Sequence, residues 1–296
     1  MSQTRANILM LIASLIWGTA FVSQTTGMGN IGPFTFSFSR FFFATIAVLP
    51  VALYFEANNF SKIFSNSKLI SLSIATGFFL FLGMGLQQYA LQVSQVSNVA
   101  FITTLYVPIV GIISRFVFKS QLHWIIWIAI LLCVYGSYLL SSNQSVEIQK
   151  SDALIFISAF CFAFHIILID IFMKQFNSPF SYGSIQYFVV FILSLILALT
   201  FEEPTLKNIS FEWFEILYTG ILSAGLGYTL QIIAQHKASP APAAIILSME
   251  GVFATIAAWL LINQTLDLNK IIGCIAIFFG VIIVQILPII KKKYDK

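Results

Sequence analysis

The sequence predicts an all-α integral membrane protein with about ten transmembrane helices. Its 296 residues are 59% hydrophobic and only 9% charged, whereas about a quarter of the residues of a soluble domain are charged. A helix needs about 20 apolar residues to cross the hydrocarbon core of a bilayer, and the chain has ten apolar stretches of about this length. They are continuously apolar, which favours helices over the shorter, alternating strands of a membrane barrel.

The ten predicted spans are joined by short loops. They cover residues 6–22, 33–55, 69–91, 96–117, 124–140, 152–173, 180–201, 213–234, 241–262 and 270–290. The first could pass for a signal peptide, but nine spans follow it, which favours its retention as a transmembrane helix. No loop is long enough for a nucleotide-binding domain, and the chain lacks a phosphate-binding glycine loop and a zinc-protease motif. We therefore expect no cofactor, no direct use of ATP and no enzymatic activity.

The distribution of Lys and Arg predicts the orientation. If the N-terminus is cytoplasmic, eleven of these residues flank the spans on the cytoplasmic side, and three, Lys150, Lys207 and Lys270, lie on the other. Since cytoplasmic loops are enriched in Lys and Arg, we expect a multi-pass protein of the cell (inner) membrane with both termini in the cytoplasm. The basic residues are spread over several loops, so the net charge of +4 does not indicate nucleic-acid binding.

The two halves of the chain, residues 1–149 and 150–296, resemble each other. Span 2 opens with Pro-Phe-Thr-Phe from Pro33 and span 7 with Pro-Phe-Ser-Tyr from Pro179. Spans 3 and 8 both contain Thr-Gly followed by Gly-x-Gly, which pairs Gly83 with Gly225, and residues 90–139 align with the second half at an offset of 144. Each half has five spans, an odd number, so the second half is inverted. Inverted repeats enclose a midplane site in many secondary transporters.

Two charged residues lie deep within the spans, away from the span ends. A charged side chain at the bilayer centre costs about 2.5–3.5 kcal/mol on insertion scales, which makes Arg40 in span 2 and Glu250 in span 9 candidate functional residues. The repeat places Gln186 at the position equivalent to Arg40, and Tyr106 at that equivalent to Glu250. All four side chains form hydrogen bonds, which predicts a polar cavity shared by the halves. For Arg40, the alternative is a side chain that snorkels to the outer interface or caps a neighbouring helix.

Glutamines form a second set of candidates. Gln88, Gln92 and Gln95 recur at helical spacing in span 3, and Gln231 and Gln235 do so in span 8, so each set lies on one helix face. Both substrate contact and hydrogen bonding between helices explain such a pattern.

The remaining candidates are aromatic or titratable. Trp17 and Tyr89 would add an aromatic face to the cavity, and His165 would either relay protons or serve as a hydrogen-bonded packing residue. We predict a cavity built from spans 1, 3, 4, 6, 8 and 9, with contributions from Arg40 and Glu250.

Four short stretches carry a family resemblance, and their order and spacing extend over the whole chain. They are Trp17-Gly18-Thr19-Ala20-Phe21, Arg40-Phe41-Phe42-Phe43-Ala44, Phe101-Ile102-Thr103-Thr104-Leu105-Tyr106-Val107-Pro108 and Ser248-Met249-Glu250-Gly251-Val252-Phe253-Ala254. The chain thereby resembles the EamA-type branch of the drug/metabolite transporter superfamily. It departs from that pattern at Gly251, where the family commonly has Pro, and at Lys119-Ser120 and Asn263-Gln264, where it commonly has Gly-Glu.

The resemblance implies two inverted five-helix repeats around a central cavity and gradient-driven transport of amino acids, metabolites or drugs. Arg40 and Glu250 would suit the two ends of a zwitterion, so we expect an amino acid or a related small amphiphile, unless the two residues neutralise each other. The other expected partners are the lipid bilayer, a coupling proton or ion, and a second copy of the chain packed on the glycines of spans 5 and 10. The alternative function is a non-transporting sensor or assembly factor, against which the short loops argue.

Overall fold

The computed structural model describes residues 1–94, 96–141 and 150–294, and these form helices without any strand. Within these ranges, ten helices are long and apolar enough to cross a membrane. We number them α1 Gln3–Thr26, α2 Pro33–Phe55, α3 Ser67–Leu91, α4 Asn98–Phe116, α5 Trp124–Ser141, α6 Ser151–Gln175, α7 Pro179–Phe201, α8 Trp213–Gln235, α9 Pro240–Ile262 and α10 Leu268–Ile286. The predicted fold class is confirmed. Gln95 and position 149, the last residue of the predicted first half, lie outside the described residues.

Helices α2 and α7 pack against each other and cap each other's N-termini. The first backbone N–H groups of a helix have no partner within it. At the start of α2, the N–H groups of Phe34 and Thr35 donate to the carboxylate of Glu202, which directly follows α7, at 2.9 and 2.7 Å. Glu56, which directly follows α2, accepts in the same way from the first turn of α7 at 3.4 and 2.8 Å. Because Glu202 is 146 positions after Glu56, this exchange is a direct expression of the inverted repeat.

Glycines allow two further helix crossings that the repeat relates. A Cβ atom on Gly77 of α3 would lie 3.1 Å from the Cα atom of Gln186 in α7, and a Cβ on Gly220 of α8 would lie 3.2 Å from the Cα of Arg40 in α2. The equivalence of Arg40 and Gln186 therefore holds for their backbones as well as in the sequence alignment. The side chains of Arg40 and Gln186 therefore start from equivalent backbone positions in the two halves.

Helices α5 and α10 also meet through glycine. A Cβ on Gly136 would lie 2.6 Å from the carbonyl oxygen of Gly273, and a Cβ on Gly280 would lie 3.0 Å from that of Ala129. Such close backbone approach is the common use of glycine between transmembrane helices. These glycines thus serve packing within the chain, and a homodimer stays a prediction that they do not require.

Helix α8 contains a π-helix at Tyr218–Gly227. The structure pairs Gly83 with Gly227 instead of Gly225, because each lies against an aromatic ring of a neighbouring helix, Phe162 and Trp17 respectively. Gly77 and Gly220 are 143 positions apart, whereas Gly83 and Gly227 are 144 apart. The second half therefore has one additional residue in this stretch. A π-turn spans one residue more than an α-turn, so the widened helix accommodates the insertion.

Two other helices are interrupted where they reach the centre of the molecule. The helical residues of α4 extend back to Val96 and are divided into Val96–Thr104 and Tyr106–Phe116, and α9 is divided into Pro240–Leu247 and Met249–Ile262. The single residues between these segments, Leu105 and Ser248, both have φ −61° and ψ −11°. The α-helical pattern is thus relaxed for one residue immediately before Tyr106 in α4 and two residues before Glu250 in α9.

Candidate functional site

A cavity with an empty volume of about 510 Å³ lies among α1, α3, α4, α6, α8 and α9. These are the six spans from which the sequence predicts it. Its lining combines aromatic, amide and hydroxyl side chains with one carboxyl group: Trp17, Phe21, Gln24, Met84, Gln87, Thr103, Tyr106, Phe162, His165, Ile166, Ser223, Tyr228, Gln231, Leu247 and Glu250. A mostly apolar cavity with a few convergent polar groups is typical of a small-molecule site.

The inverted repeat relates most of the lining residues in pairs. The pairs are Met84 with Tyr228, Gln87 with Gln231, Thr103 with Leu247 and Tyr106 with Glu250, each 144 positions apart, and Trp17 with Phe162 and Phe21 with Ile166, each 145 apart. Of these pairs, only the glutamine pair has the same residue on both sides. A symmetric scaffold thus presents an asymmetric surface, with a carboxyl group on one side and a phenol on the other.

Glu250 is the one charged residue in this lining, and it is 9% exposed. Gly18 sets its position, because a Cβ there would lie 2.5 Å from the Cβ of Phe253 and 2.8 Å from the carbonyl oxygen of Glu250. The missing side chain lets α1 pack directly on α9. The hydroxyl of Tyr106 interacts electrostatically with the carboxyl group but forms no hydrogen bond of ordinary geometry. The carboxyl group therefore faces the cavity with capacity for a further partner.

Trp17 packs against α8 at the wall of the cavity. Its indole Nε1 donates a hydrogen bond to the carbonyl oxygen of Ser223, inside the π-helix, at 3.1 Å. Its ring packs on that of Tyr228, with 4.7 Å between centroids. A Cβ on Gly227 would lie 2.6 Å from Nε1, so only glycine leaves room for the indole here. The π-helix and Gly227 together fix the aromatic wall.

Arg40 lies behind the cavity and does not line it. It is 1% exposed, and one terminal guanidinium nitrogen donates to Gln24 Oε1 at 2.9 Å, while its Nε and other terminal nitrogen have no hydrogen-bond partner. Its guanidinium carbon is 5.7 and 5.1 Å from the ring centroids of Phe36 and Phe41, in the range of cation–π interaction. Arg40 thus stays inside the protein and acts on the cavity through Gln24. The structure does not show the snorkelling alternative.

The remaining predicted residues occupy three kinds of position. Gln231 lines the cavity, whereas Gln186 lies behind it and hydrogen-bonds His165 at 3.0 Å. Gln88 also lies outside the lining and donates to the backbone oxygen of Gln24 at 3.1 Å. Tyr89 is 45% exposed and does not reach the cavity. Of the predicted residues, the structure brings five into the lining: Trp17, Tyr106, His165, Gln231 and Glu250.

Among the lining residues that are absent from the predicted set, three have a signal in the sequence. Gln24 lies seven positions after Trp17, on the same helix face. Gln87 is the repeat partner of Gln231, and Tyr228 is that of Met84, at the offset of 144 already found for the neighbouring spans. Applying that offset from each predicted residue would have identified Gln87.

Two further cavities lie at the two ends of the bundle. One, of about 770 Å³, includes Asn7, Asp170, Lys174, Gln235 and His236, on the side of the N-terminus. We call it the inner vestibule. The other, of about 650 Å³, lies on the opposite side and includes Met28, Asn30, Gln92, Glu202 and Glu203. We call it the outer vestibule.

A thin layer of glutamine contacts separates the central cavity from each vestibule. Towards the inner one, Gln231 donates to Gln235 Oε1, and Gln235 donates to the backbone oxygen of Ile166, both at 2.9 Å. Towards the outer one, Gln88 contacts Met28 Sδ at 3.0 Å in addition to its bond to the Gln24 backbone.

Comparison with known proteins gives consistent matches. The model of the EamA-like transporter family matches residues 4–142 and again residues 149–286. A protein of Archaeoglobus fulgidus named an uncharacterized transporter is 28% identical over 285 residues, which cover 95% of this chain and 86% of the relative. The uncharacterized transporter YoaV of Bacillus subtilis is 20% identical, with 92% and 94% covered. A solved crystal structure superposes with a TM-score of 0.80 at 15% identity, covering 97% of this chain and 98% of the other, which shows a shared fold.

Proposed function

The chain belongs to the EamA-like transporter family of the drug/metabolite transporter superfamily and is a multi-pass membrane transporter; from this premise we propose that it is a secondary transporter that carries a small metabolite by alternating access. A gradient of the substrate, of protons or of another ion drives transport. We further propose that residues 1–149 and 150–296 are the two units whose relative movement opens either side. In this proposal both termini lie in the cytoplasm, as the distribution of Lys and Arg predicts.

The observation that carries this proposal is the arrangement of the three cavities. Glutamine contacts link the central cavity to each vestibule: Gln231 bonds Gln235 on the inner side, and on the outer side Gln88 bonds the Gln24 backbone and contacts Met28. Inverted repeats give two nearly equivalent packings around one site. Breaking the Gln231–Gln235 contact in one packing and the Gln88–Gln24 contact in the other would expose the same site to the two sides in turn.

The proposed substrate site consists of the lining residues together with those that orient them. Glu250, Trp17, Tyr106 and Gln231 contact the substrate, while Arg40, Gln88 and Gln186 act through Gln24 and His165. An amino acid or a related amphiphile suits this site, since Glu250 would receive its ammonium group. Tyr89, which is exposed, has no part in the proposed site.

A two-step experiment tests the proposal. The purified protein is first screened for thermal stabilisation by amino acids, amines, nucleosides and quaternary ammonium compounds, because a ligand that binds only the folded state raises its stability. Each stabilising compound is then supplied in labelled form to proteoliposomes with an imposed substrate, proton or sodium gradient. We expect accumulation that depends on a gradient and that falls at least tenfold in the Glu250→Gln variant.

Glu203→Gln is the matched control, because Glu203 is an exposed carboxylate of the outer vestibule. It should leave accumulation within about twofold of the wild-type protein. Stabilising ligands that never cross the membrane under any of the three gradients would contradict transport and favour a sensor.

A further inference from the structure

The carboxyl group of Glu250 has no ion-pair partner among the described residues. The ion pair that the structure shows, between Lys174 and Asp170, lies in the inner vestibule. Arg40 is bonded to Gln24 instead of the carboxyl group. A buried carboxylate that lacks a positive partner is costly. A cationic group on a ligand would supply the missing partner.

The walls around Glu250 favour a cation and disfavour an anion. Five aromatic rings line the cavity, and two of them, Trp17 and Tyr228, pack together with 4.7 Å between their centroids. The face of an aromatic ring carries partial negative charge and attracts ammonium groups, most strongly for Trp. A carboxylate placed among the same rings would meet that negative charge and the carboxyl group of Glu250.

The other charged residue of the region is withheld from ligands. Arg40 is 1% exposed, and its guanidinium group lies between Gln24 and the rings of its own helix neighbours Phe36 and Phe41. Its two unpartnered nitrogens are fully buried. A ligand carboxylate would therefore meet the neutral amide of Gln24, and the site offers it no ion pair.

From these observations we propose that the central cavity selects small amines that carry an apolar, ring-sized group, that Glu250 is the residue that pairs with the ammonium group, and that a carboxylate on the ligand is not recognised. The proposal rests on the proposed transport function, because it names the substrate class of the same site. It narrows the amino-acid hypothesis: the amino group is required, and the carboxylate contributes nothing.

Four probes that share a phenylethyl group test this proposal by equilibrium binding to the purified full-length protein at pH 7. They are 2-phenylethylamine, phenylalanine, 3-phenylpropionate and 2-phenylethanol. We expect the amine to bind at least as tightly as the amino acid, and at least tenfold more tightly than the acid or the alcohol. In Glu250→Gln, affinity for the amine should fall at least tenfold and the difference between amine and alcohol should disappear. Glu203→Gln should retain both.

Three results would overturn the proposal. They are phenylalanine binding more than tenfold more tightly than the amine, the acid binding as well as the amine, and discrimination that survives Glu250→Gln. Absence of binding by all four probes would refute the selection of amines that carry a ring-sized apolar group. None of these results bears on transport itself, which the wider ligand screen and the proteoliposomes test independently. A thermal midpoint of Glu250→Gln within a few degrees of the wild-type value establishes that a loss of binding is not a loss of folding.

Discussion

Arg40 and Glu250 have opposite roles, although both are buried charges near the centre of the membrane protein. Glu250 retains residual exposure in a cavity and lacks a cation, whereas Arg40 has a neutral hydrogen-bond partner and almost no exposure. In a medium of low dielectric constant an unpaired buried charge is costly, so the single bond to Gln24 stabilises Arg40 appreciably. Gln24 is therefore both a wall of the cavity and the support of a buried charge.

A double-mutant cycle tests this role of Gln24. Gln24→Leu leaves the guanidinium group without its neutral partner, and we expect a loss of about 1–3 kcal/mol, since this is the usual cost of an unsatisfied buried group. Arg40→Met removes the charge and keeps an unbranched apolar chain, so the double variant should be more stable than Gln24→Leu alone. The thermal midpoints of the three purified variants measure this. A double variant less stable than both single variants would show that Arg40 has another essential partner.

Gly227 provides a test of the aromatic wall. In Gly227→Ala the new Cβ would overlap the Trp17 indole nitrogen, so the ring must move and its bond to Ser223 must break. Overpacking of this kind typically costs about 1–3 kcal/mol. We expect a lower thermal midpoint and at least tenfold weaker binding of any ligand found in the screen.

Gly85→Ala is the matched control for Gly227→Ala. Its Cβ would come no closer than 3.8 Å to Phe34, which is ordinary contact distance. It should change the midpoint and the affinity little. Equal effects of the two substitutions would show that helix flexibility, and not the space for Trp17, is what Gly227 provides.

Sequence patterns identify polar residues within spans but not how far each one reaches. Arg40 and Glu250 are equally conspicuous in the sequence. Only tertiary packing places Gln24 between Arg40 and the cavity and leaves Glu250 in the cavity lining. Tyr89 shows the same limit. It adjoins Gln88, which faces the interior, but one residue along a helix turns the side chain through about 100°, and Tyr89 points outward.

At the scale of helices, the reciprocal caps of α2 and α7 make a specific prediction. Glu202→Ala removes two backbone bonds and the bond from Thr35 Oγ1, whereas Glu56→Ala removes two, one of them long at 3.4 Å. Loss of a helix cap costs about 0.5–2 kcal/mol. We expect both variants to melt at lower temperature, and Glu202→Ala to be the more affected.

Glu203→Ala serves as the control for the cap variants. Glu203 adjoins Glu202 but is exposed, and no hydrogen bond of its side chain is found in the described part of the chain. It should melt close to the wild-type protein. If Glu203→Ala lowered the midpoint as much as Glu202→Ala, the general loss of acidic charge on this face would explain the effect instead of capping.

The π-helix illustrates why helix detail is harder to predict than helix existence. Apolar length alone predicts α8, because about 20 apolar residues suffice to span a bilayer. The inserted residue, however, leaves composition and hydropathy unchanged. It appears only as a change of offset from 143 to 144 between two glycine pairs, and the contacts of Gly83 and Gly227 are needed to choose that pairing over its neighbours. Once the contacts are known, the insertion explains why the carbonyl oxygen of Ser223 is available to Trp17.

At the scale of the whole molecule, the fold follows from the sequence more completely than the site does. Lipid as solvent requires each span to satisfy its own backbone hydrogen bonds, which leaves few alternatives to a helical bundle. An odd number of spans per half then requires inversion. The site depends on side-chain differences between equivalent positions, such as Tyr106 and Glu250, and symmetry does not specify these.

Inversion makes a prediction about two positions that the repeat treats as equivalent. Val93 follows α3 and Lys237 follows α8, 144 positions apart. Both are exposed, and the ten-helix topology places them on opposite faces of the membrane. We expect that, in a background with the three cysteines replaced by alanine, Val93→Cys reacts with a membrane-impermeant maleimide in intact cells, and Lys237→Cys reacts only after permeabilisation. Reaction of both under the same condition would refute inversion. If Lys237→Cys reacted in intact cells and Val93→Cys only after permeabilisation, inversion would hold but the termini would lie outside, because Lys237 shares the face of the N-terminus. The two positions thus test topology and orientation separately.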